Sequence, residues 1–536
     1  MKYFWAVVIL ILFAECANQT APNGGPQDKK PPELVLSNPA NNQKKFSGKT
    51  IELVFDEYVK LKNPEEEVLI SPSIGKGVKY TAKKYKVIVS TKGNWKENTT
   101  YSIAFRESIQ DITESNPATN LRLAFSTGET IDSLQINGNI TELFKEEIPD
   151  KITVALYASD TFNIFKHTPT YFTKANKRGK FSIQNLKAGG YYIYAFDDKN
   201  KNLIVESKSE RFGFRKDKIE IPAKDTIHID LFKVDARPMK VTSFRSTDKV
   251  ATLRINKPLS AIKVQPYTQE EFIYYYGKTH DEIIFRSLRE ERTRDSTLLE
   301  ITLTDSLQIR KDTTVYLKYS NSKMMKERFS SSFSFLEYDA DKKAIHQKIQ
   351  FNKLLKSINY DSLFIQHDTV TFQPINNQNV TFDTLNLTLH LNTKLEKEIN
   401  TTTPILIYGM GAFVSIDQDS SKAKTETIRI PKAEQTGSLA IKVETKEPYY
   451  FIELIDRSDR IVKKVSNIKE QNFKNLEPGD YKIRITIDPN NNHIWDIGNY
   501  LLRSEPEKII LFKTFDGKTS TPVRANWEVG PLVIKF

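Results

Sequence analysis

The chain has 536 residues, of which 39% are hydrophobic, 11% aromatic and 27% charged. This is too apolar and aromatic for a disordered chain and too polar for one threaded repeatedly through a membrane, and the length suits about three to five domains. Lys and Arg outnumber Asp and Glu, 79 to 67, for a net charge of +12, and the one cysteine, Cys16, excludes an internal disulfide framework and any multi-cysteine zinc or iron–sulfur site.

In chain order, Met1-Lys2 is a short basic start, and Tyr3 to Ala14 is an unbroken apolar run. It is too short for a bilayer, which needs about 20 apolar residues, and suits a secretory h-region. Leu12-Phe13-Ala14-Glu15-Cys16 follows. It resembles a bacterial lipobox, which implies cleavage before Cys16 and lipidation of that cysteine. Glu15 departs from the pattern, where Gly, Ala or Ser is usual. The competing reading is an ordinary secretory signal with an incidental cysteine. The lipobox reading predicts a protein anchored to the outer membrane by lipid, with no spanning helix. The basic balance raises nucleic acid as a partner, but export argues against it and favours anionic lipid, lipopolysaccharide or an acidic protein. Acidic residues interspersed along the chain also fit a mixed, solvated surface.

Ala17 to Pro32 (ANQTAPNGGPQDKKPP) reads as an extended tether. Beyond it the pattern is β almost throughout. Thr50 to Phe55, Lys86 to Ser90 and Tyr101 to Phe105 alternate outward and inward positions, and turn residues recur every 8 to 12 positions or so, as in sandwiches. Ala344 to Ser357 is a short helical candidate that defines no helical domain.

One module occurs twice. Asn185-Leu186-Lys187-Ala188-Gly189-Gly190-Tyr191-Tyr192-Ile193 returns as Asn475-Leu476-Glu477-Pro478-Gly479-Asp480-Tyr481-Lys482-Ile483. The same offset carries Asp198, Asn200, Asn202 and Glu206 onto Asp488, Asn490, Asn492 and Asp496. Gly179 to Tyr191 (GKFSIQNLKAGGY) makes the module resemble the carboxypeptidase regulatory-like, prealbumin-like sandwich. Phe55-Asp56-Glu57-Tyr58-Val59, Ile70-Ser71-Pro72, Asn98-Thr99-Thr100-Tyr101, Ile109-Gln110-Asp111 and Phe125-Ser126-Thr127-Gly128 resemble a bacterial Ig-like domain of the SbsA type. Gly24-Gly25-Pro26-Gln27-Asp28 with Pro31-Pro32 is similar to the start of mature Bacteroidota lipoproteins. Ile255 to Leu259, Asp312 to Tyr316 and Ile349 to Leu354 echo the first domain. The expected architecture is all-β, tandem Ig-like and prealbumin-like sandwiches: leader 1–15, tether 16–31, SbsA-type domain 32–129, prealbumin-like 130–235, Ig-like 236–338 and 339–434, and prealbumin-like 435–536 with a C-terminal strand.

The repeated loops place oxygen ligands at positions 1, 3, 5 and 9, the spacing with which alternate residues fold onto calcium. Position 6 is Leu203 or His493 rather than Gly, and position 12 is Ser209 or Asn499 rather than Glu. The alternative is an Asx turn that satisfies its own backbone. The histidines (His167, His228, His280, His346, His367, His390, His493) are scattered, and HExxH, GxSxG, P-loop and GxGxxG motifs are missing. His493-x-x-Asp496 has the form of a zinc pair but lacks a third ligand and a base. Gly409-Met410-Gly411 reads as a strand bend. Phe272-Ile273-Tyr274-Tyr275-Tyr276 is either cross-strand packing or a surface for glycan or protein.

An Asp–Ser/Thr–apolar pattern marks Ser133, Thr226, Ser306, Ser362, Thr369 and Thr384. It resembles the O-glycosylation signal of exported Bacteroidota proteins and also reads as turn-into-strand chemistry. Together these features predict a non-enzymatic outer-membrane lipoprotein, a binding or scaffold subunit of an envelope complex for outer-membrane protein assembly or transport. A surface glycan-binding or adhesive lipoprotein is the alternative. Ala17 to Thr20 lacks the acidic residues associated with surface export, which favours the periplasmic face.

Overall fold

The computed structural model describes residues 27–75, 77–145, 147–266, 271–288, 296–319, 327–396 and 403–536. Strands make up 49% of the chain and helix 2%, in many separate sheets, as expected of tandem β-sandwich domains. Cys16 and the leader lie outside the described residues. Two compact units emerge.

The first unit opens with the strands Leu34–Asn38, Thr50–Phe55, Lys86–Thr91 and Val78–Lys83 in one sheet, opposed by Leu69–Ser71, Thr100–Ala104 and Arg122–Ser126. The alternation seen in the sequence is the reason. Ile51, Leu53 and Phe55 point inward, against Val87, Val89, Tyr101, Ile103 and Phe125. The two buried aromatics with polar tips are satisfied: Trp95 donates to the Gly48 carbonyl at 2.9 Å, and the Tyr101 hydroxyl accepts from Lys96 N at 2.9 Å.

The second sandwich packs Lys180–Leu186, Leu134–Glu142 and Ile227–Leu231 over Tyr171–Lys174, Thr153–Tyr157 and Gly189–Phe196. Within the unit, Leu69, Ala104 and Phe172 form a small apolar seam between the two sandwiches. Beside it Lys151 Nζ reaches Glu67 at 2.8 Å and Glu66 at 3.3 Å, Lys201 Nζ reaches Glu66 at 2.8 Å, and Arg106 reaches Glu67 at 3.1 Å. Lys201 and Lys151 hold the Glu66 carboxyl down to about 2 against its burial.

The second unit begins with Val241–Ser246, Val250–Ile255, Glu282–Ser287 and Phe272–Tyr276 in a sheet facing Leu259–Gln265, Thr297–Asp305 and Arg310–Leu317. The next sandwich is built on Ala344–Phe351, flanked by Thr388–Lys394 on one side and by Ser331–Phe333 and Glu337–Asp339 on the other. One sequence expectation is corrected here. Ala344 to Ser357 is strand rather than helix: Ile345, Gln347, Ile349 and Phe351 are buried with Lys348 and Gln350 exposed between them, a period of two. Ser331–Phe333 pairs with this sandwich, Ser331 opposite Phe351.

These two sandwiches share a seam. Tyr275, Leu354 and Leu387 pack together, and Tyr276 N donates to the Leu385 carbonyl at 2.8 Å. Asp417 pairs with Arg286 and with Lys353 (3.1 Å), and Lys353 also meets Asp419 at 2.6 Å. Inside the third sandwich, Lys257 and Asp305 form a 2.6 Å ion pair with both side chains 1% exposed.

The last sandwich repeats the second. Gly437–Glu444 lies between Glu470–Leu476 and Glu528–Lys535 as Leu134–Glu142 lies between Lys180–Leu186 and Ile227–Leu231. Its final strand runs parallel to Gly437–Glu444. The repeat extends to single atoms. Tyr191 donates to the Lys187 carbonyl at 3.0 Å and Tyr481 to the Glu477 carbonyl at 2.7 Å. Asn185 and Asn475 both take left-handed φ, 57° and 56°.

Candidate functional site

The duplicated Asp/Asn loops follow the ends of the interior strands Gly189–Phe196 and Gly479–Ile487. In the first, Asp198 accepts from Asn202 N (3.0 Å) and Leu203 N (3.2 Å), and Asn202 Oδ1 accepts from Ile204 N at 2.9 Å. In the second, Asp488 accepts from Asn492 N (3.1 Å) and His493 N (2.8 Å), and Asn492 Oδ1 accepts from Ile494 N at 2.7 Å. Leu203 and His493 take left-handed φ of 59° and 60° without being glycine. This is the turn geometry: aspartate and asparagine oxygens serve the loop's own backbone. Glu206 N donates to the Glu210 carboxylate at 2.7 Å. Asn490 and Asn492 direct their amide N–H groups to Asp496 Oδ2, at 2.5 and 3.1 Å. Among the described residues no three His, Cys, Asp or Glu side chains gather as a metal site.

The second loop has a neighbour that the sequence did not single out. Glu507 Oε2 accepts from Asp496 N at 3.0 Å, and burial, with Asp496 and Asp488 adding, pushes its carboxyl up to about 7. His493 Nδ1 lies 3.6 Å from Asp488 Oδ2, so the histidine of the zinc-like pair leans on the turn aspartate.

Three of the Asp–Ser/Thr sites share a local design. Asp305 accepts from Leu307 N and Asp368 from Val370 N, each at 2.9 Å, and Asp383 accepts from Asn386 N at 3.0 Å. In these three the aspartate closes the turn, whereas Asp225 and Asp361 are exposed. Ser133, Thr226, Ser306 and Thr369 are exposed, while Ser362 and Thr384 are half-buried.

The tyrosine cluster is not a surface. Tyr275 is 5% and Tyr276 3% exposed, and Tyr274 packs against Phe285. The strand lies at the sheet's edge, but the fourth sandwich covers its outward face. Gly409 to Gly411 forms the expected bend: Gly409 N donates to the Ser362 carbonyl at 2.8 Å, and Gly411 takes φ 74°.

A cleft in the first unit escaped the sequence reading. It encloses about 960 Å³, and Leu69, Arg106, Arg122, Lys174, Lys180 and Phe181 are among the residues that line it.

Residues 28–127 match the family model of the bacterial Ig-like domain. The match covers the first sandwich. No curated protein matches the chain. Among solved structures, the major pilin subunit BcpA of Bacillus cereus is 10% identical, with 75% of this chain and 99% of the pilin covered and a TM-score of 0.13. Dimeric latent PorU of Porphyromonas gingivalis is 8% identical, with 67% and 46% covered and a TM-score of 0.23. Domains 1–6 of the surface layer protein SbsC are 8% identical, with 75% and 67% covered and a TM-score of 0.16. Scores of this size carry no argument about function.

Proposed function

We propose that the chain is a lipoprotein of a Bacteroidota-type outer membrane, acylated at Cys16. In this reading it serves without catalysis as a binding or scaffold subunit of an envelope complex for outer-membrane protein assembly or transport. The observation that carries the reading is the order of parts: a basic start, an apolar run ending at the chain's one cysteine, a Gly/Pro/Asn tether, then β-sandwiches from Leu34 onward. The bacterial Ig-like match over 28–127 supports it.

The test is gentle detergent extraction followed by crosslinking, which should recover an integral outer-membrane protein with this chain. Recovery of monomer alone sinks the proposal. Protease shaving of intact cells assigns the leaflet; protection is expected, because Ala17 to Thr20 carries no acidic residue. The glycan-binding alternative rested on Tyr274 to Tyr276. With Tyr275 and Tyr276 buried and Tyr274 packed on Phe285, that strand presents no aromatic platform for a sugar.

A further inference from the structure

The cleft in the first unit lies between the Ig-like domain and the second sandwich. One wall is the end of Arg122–Ser126 with Ala104 and Arg106; the other is the antiparallel pair Leu134–Glu142 and Lys180–Leu186, and Thr173 to Asn176 line it as well. Its charge is one-sided. Arg106, Arg122, Lys174 and Lys180 line it, against a single acid, Glu107.

The state of two of these cations matters most. Arg122 and Lys174 are half-buried, and among the described residues neither side chain makes a hydrogen bond or ion pair. Burial pulls both below their ordinary values, and Arg106 adds to the effect on Lys174. Glu66, Asp198 and Glu67 attract Lys174 from a distance without bonding to it, and each is already engaged: Glu66 by Lys151 and Lys201, Glu67 by Lys151 and Arg106, and Asp198 by the N–H groups of Asn202 and Leu203. Withdrawing a cation from water without giving it a bonded partner disfavours the folded state. Two such cations facing one large cleft form an arrangement that an incoming anion completes, because charge-assisted bonds to a guanidinium and an ammonium compensate both at once. Leu69 and Phe181 in the lining limit water around the charges, which strengthens the attraction.

We propose that this cleft binds an oxyanion, phosphate or carboxylate, held between Arg122 and Lys174 with Lys180 at the rim.

Isothermal titration calorimetry on the chain without its leader, at fixed ionic strength in chloride, tests this with two probes. Inorganic pyrophosphate stands for a free oxyanion, and phosphatidylglycerol vesicles, against phosphatidylcholine vesicles, stand for a lipid headgroup. Saturable binding of either probe is expected; which one binds identifies the source. The Arg122→Gln/Lys174→Gln variant should bind at least about 10-fold more weakly. Without ligand it should melt no lower than the parent, since it removes two half-buried charges that no carboxylate bonds. The charge-conserving Arg122→Lys/Lys174→Arg variant should keep binding within about 3-fold and so separates loss of charge from loss of fold. Binding of neither probe, or binding that survives the double Gln substitution, overturns the proposal.

Discussion

Replacing Lys257 with Met removes an ammonium that lies 2.6 Å from Asp305 Oδ2 and 3.0 Å from the Arg237 carbonyl. Both charged side chains are 1% exposed, so water cannot take the ammonium's place. The carboxylate left behind is not wholly bare: Asp305 Oδ1 keeps the N–H groups of Leu307 at 2.9 Å and Ile309 at 3.0 Å. Breaking a buried pair from one side costs about 3–5 kcal/mol. The two surviving backbone bonds place this case at the lower end, about 3 kcal/mol. In a sandwich of roughly 100 residues that lowers the melting temperature by about 12–24 °C. Differential scanning calorimetry of the leaderless chain should show one transition, that of the third sandwich, falling by this amount. Adding Asp305→Asn to Lys257→Met should restore about 1 kcal/mol or more, because it removes the stranded charge. A fall of less than about 4 °C, under roughly 1 kcal/mol, refutes the reasoning that the pair is sealed from solvent.

Other expectations follow from the same geometry. Tyr191→Phe and Tyr481→Phe each delete one hydroxyl bond to the carbonyl four residues back, and each should cost about 1 kcal/mol in thermal unfolding; a large difference between them would break the equivalence of the two modules. The folded-state carboxyl of Glu507 titrates near 7, above its ordinary 4.5, so the fold prefers it protonated. Its favourable contribution is full below about 4.5 and is lost as pH rises through 7. Glu507→Gln should therefore raise the melting temperature at pH 8 and leave it unchanged near pH 4, and equal effects at both pH values would count against this. Because the Asp198 and Asp488 oxygens accept loop N–H groups, neither EDTA nor calcium should move the melting curve; a calcium-dependent rise reversed by EDTA would decide for the metal reading instead. If the Asp–Ser/Thr sites carry glycans in the native host, intact-mass and peptide analysis should find them on exposed Ser133, Thr226, Ser306 and Thr369 ahead of half-buried Ser362 and Thr384. The bare lipoprotein mass would exclude them.

Strand alternation and the duplicated Gly–Tyr turn were legible because both are local. Ile51, Leu53 and Phe55 had to share a face, and Tyr191 and Tyr481 sit at fixed distances from their turns. What the sequence concealed is non-local. Nothing local in the Asn-Lys-Pro turn of Lys257 or the Asp-Ser of Asp305 marks a buried pair; only pairing of Leu259 with Asp305 brings them together. For Tyr275 the sequence leaves cross-strand packing and an exposed surface both open, because a single edge strand does not reveal that a second sandwich will cover it. Arg122 and Lys174 belong to different sandwiches, and either alone is an ordinary basic residue. The helical reading of Ala344 to Ser357 failed because Gln347 is buried as a partner of the Tyr408 hydroxyl at 2.5 Å, a polar residue holding an inward position of the strand.

The seam around Tyr275 bears on how this chain can diversify. A tandem array of sandwiches lends itself to shuffling, in which one domain is excised and another spliced in its place. Between the third and fourth sandwiches that exchange is blocked. A replacement domain would have to supply a receptor for the Tyr275 ring, an acceptor for Tyr276 N in place of the Leu385 carbonyl and counter-charges for Arg286. The contacts therefore favour exchange of the two sandwiches together, and recombination breakpoints among relatives should fall outside the pair.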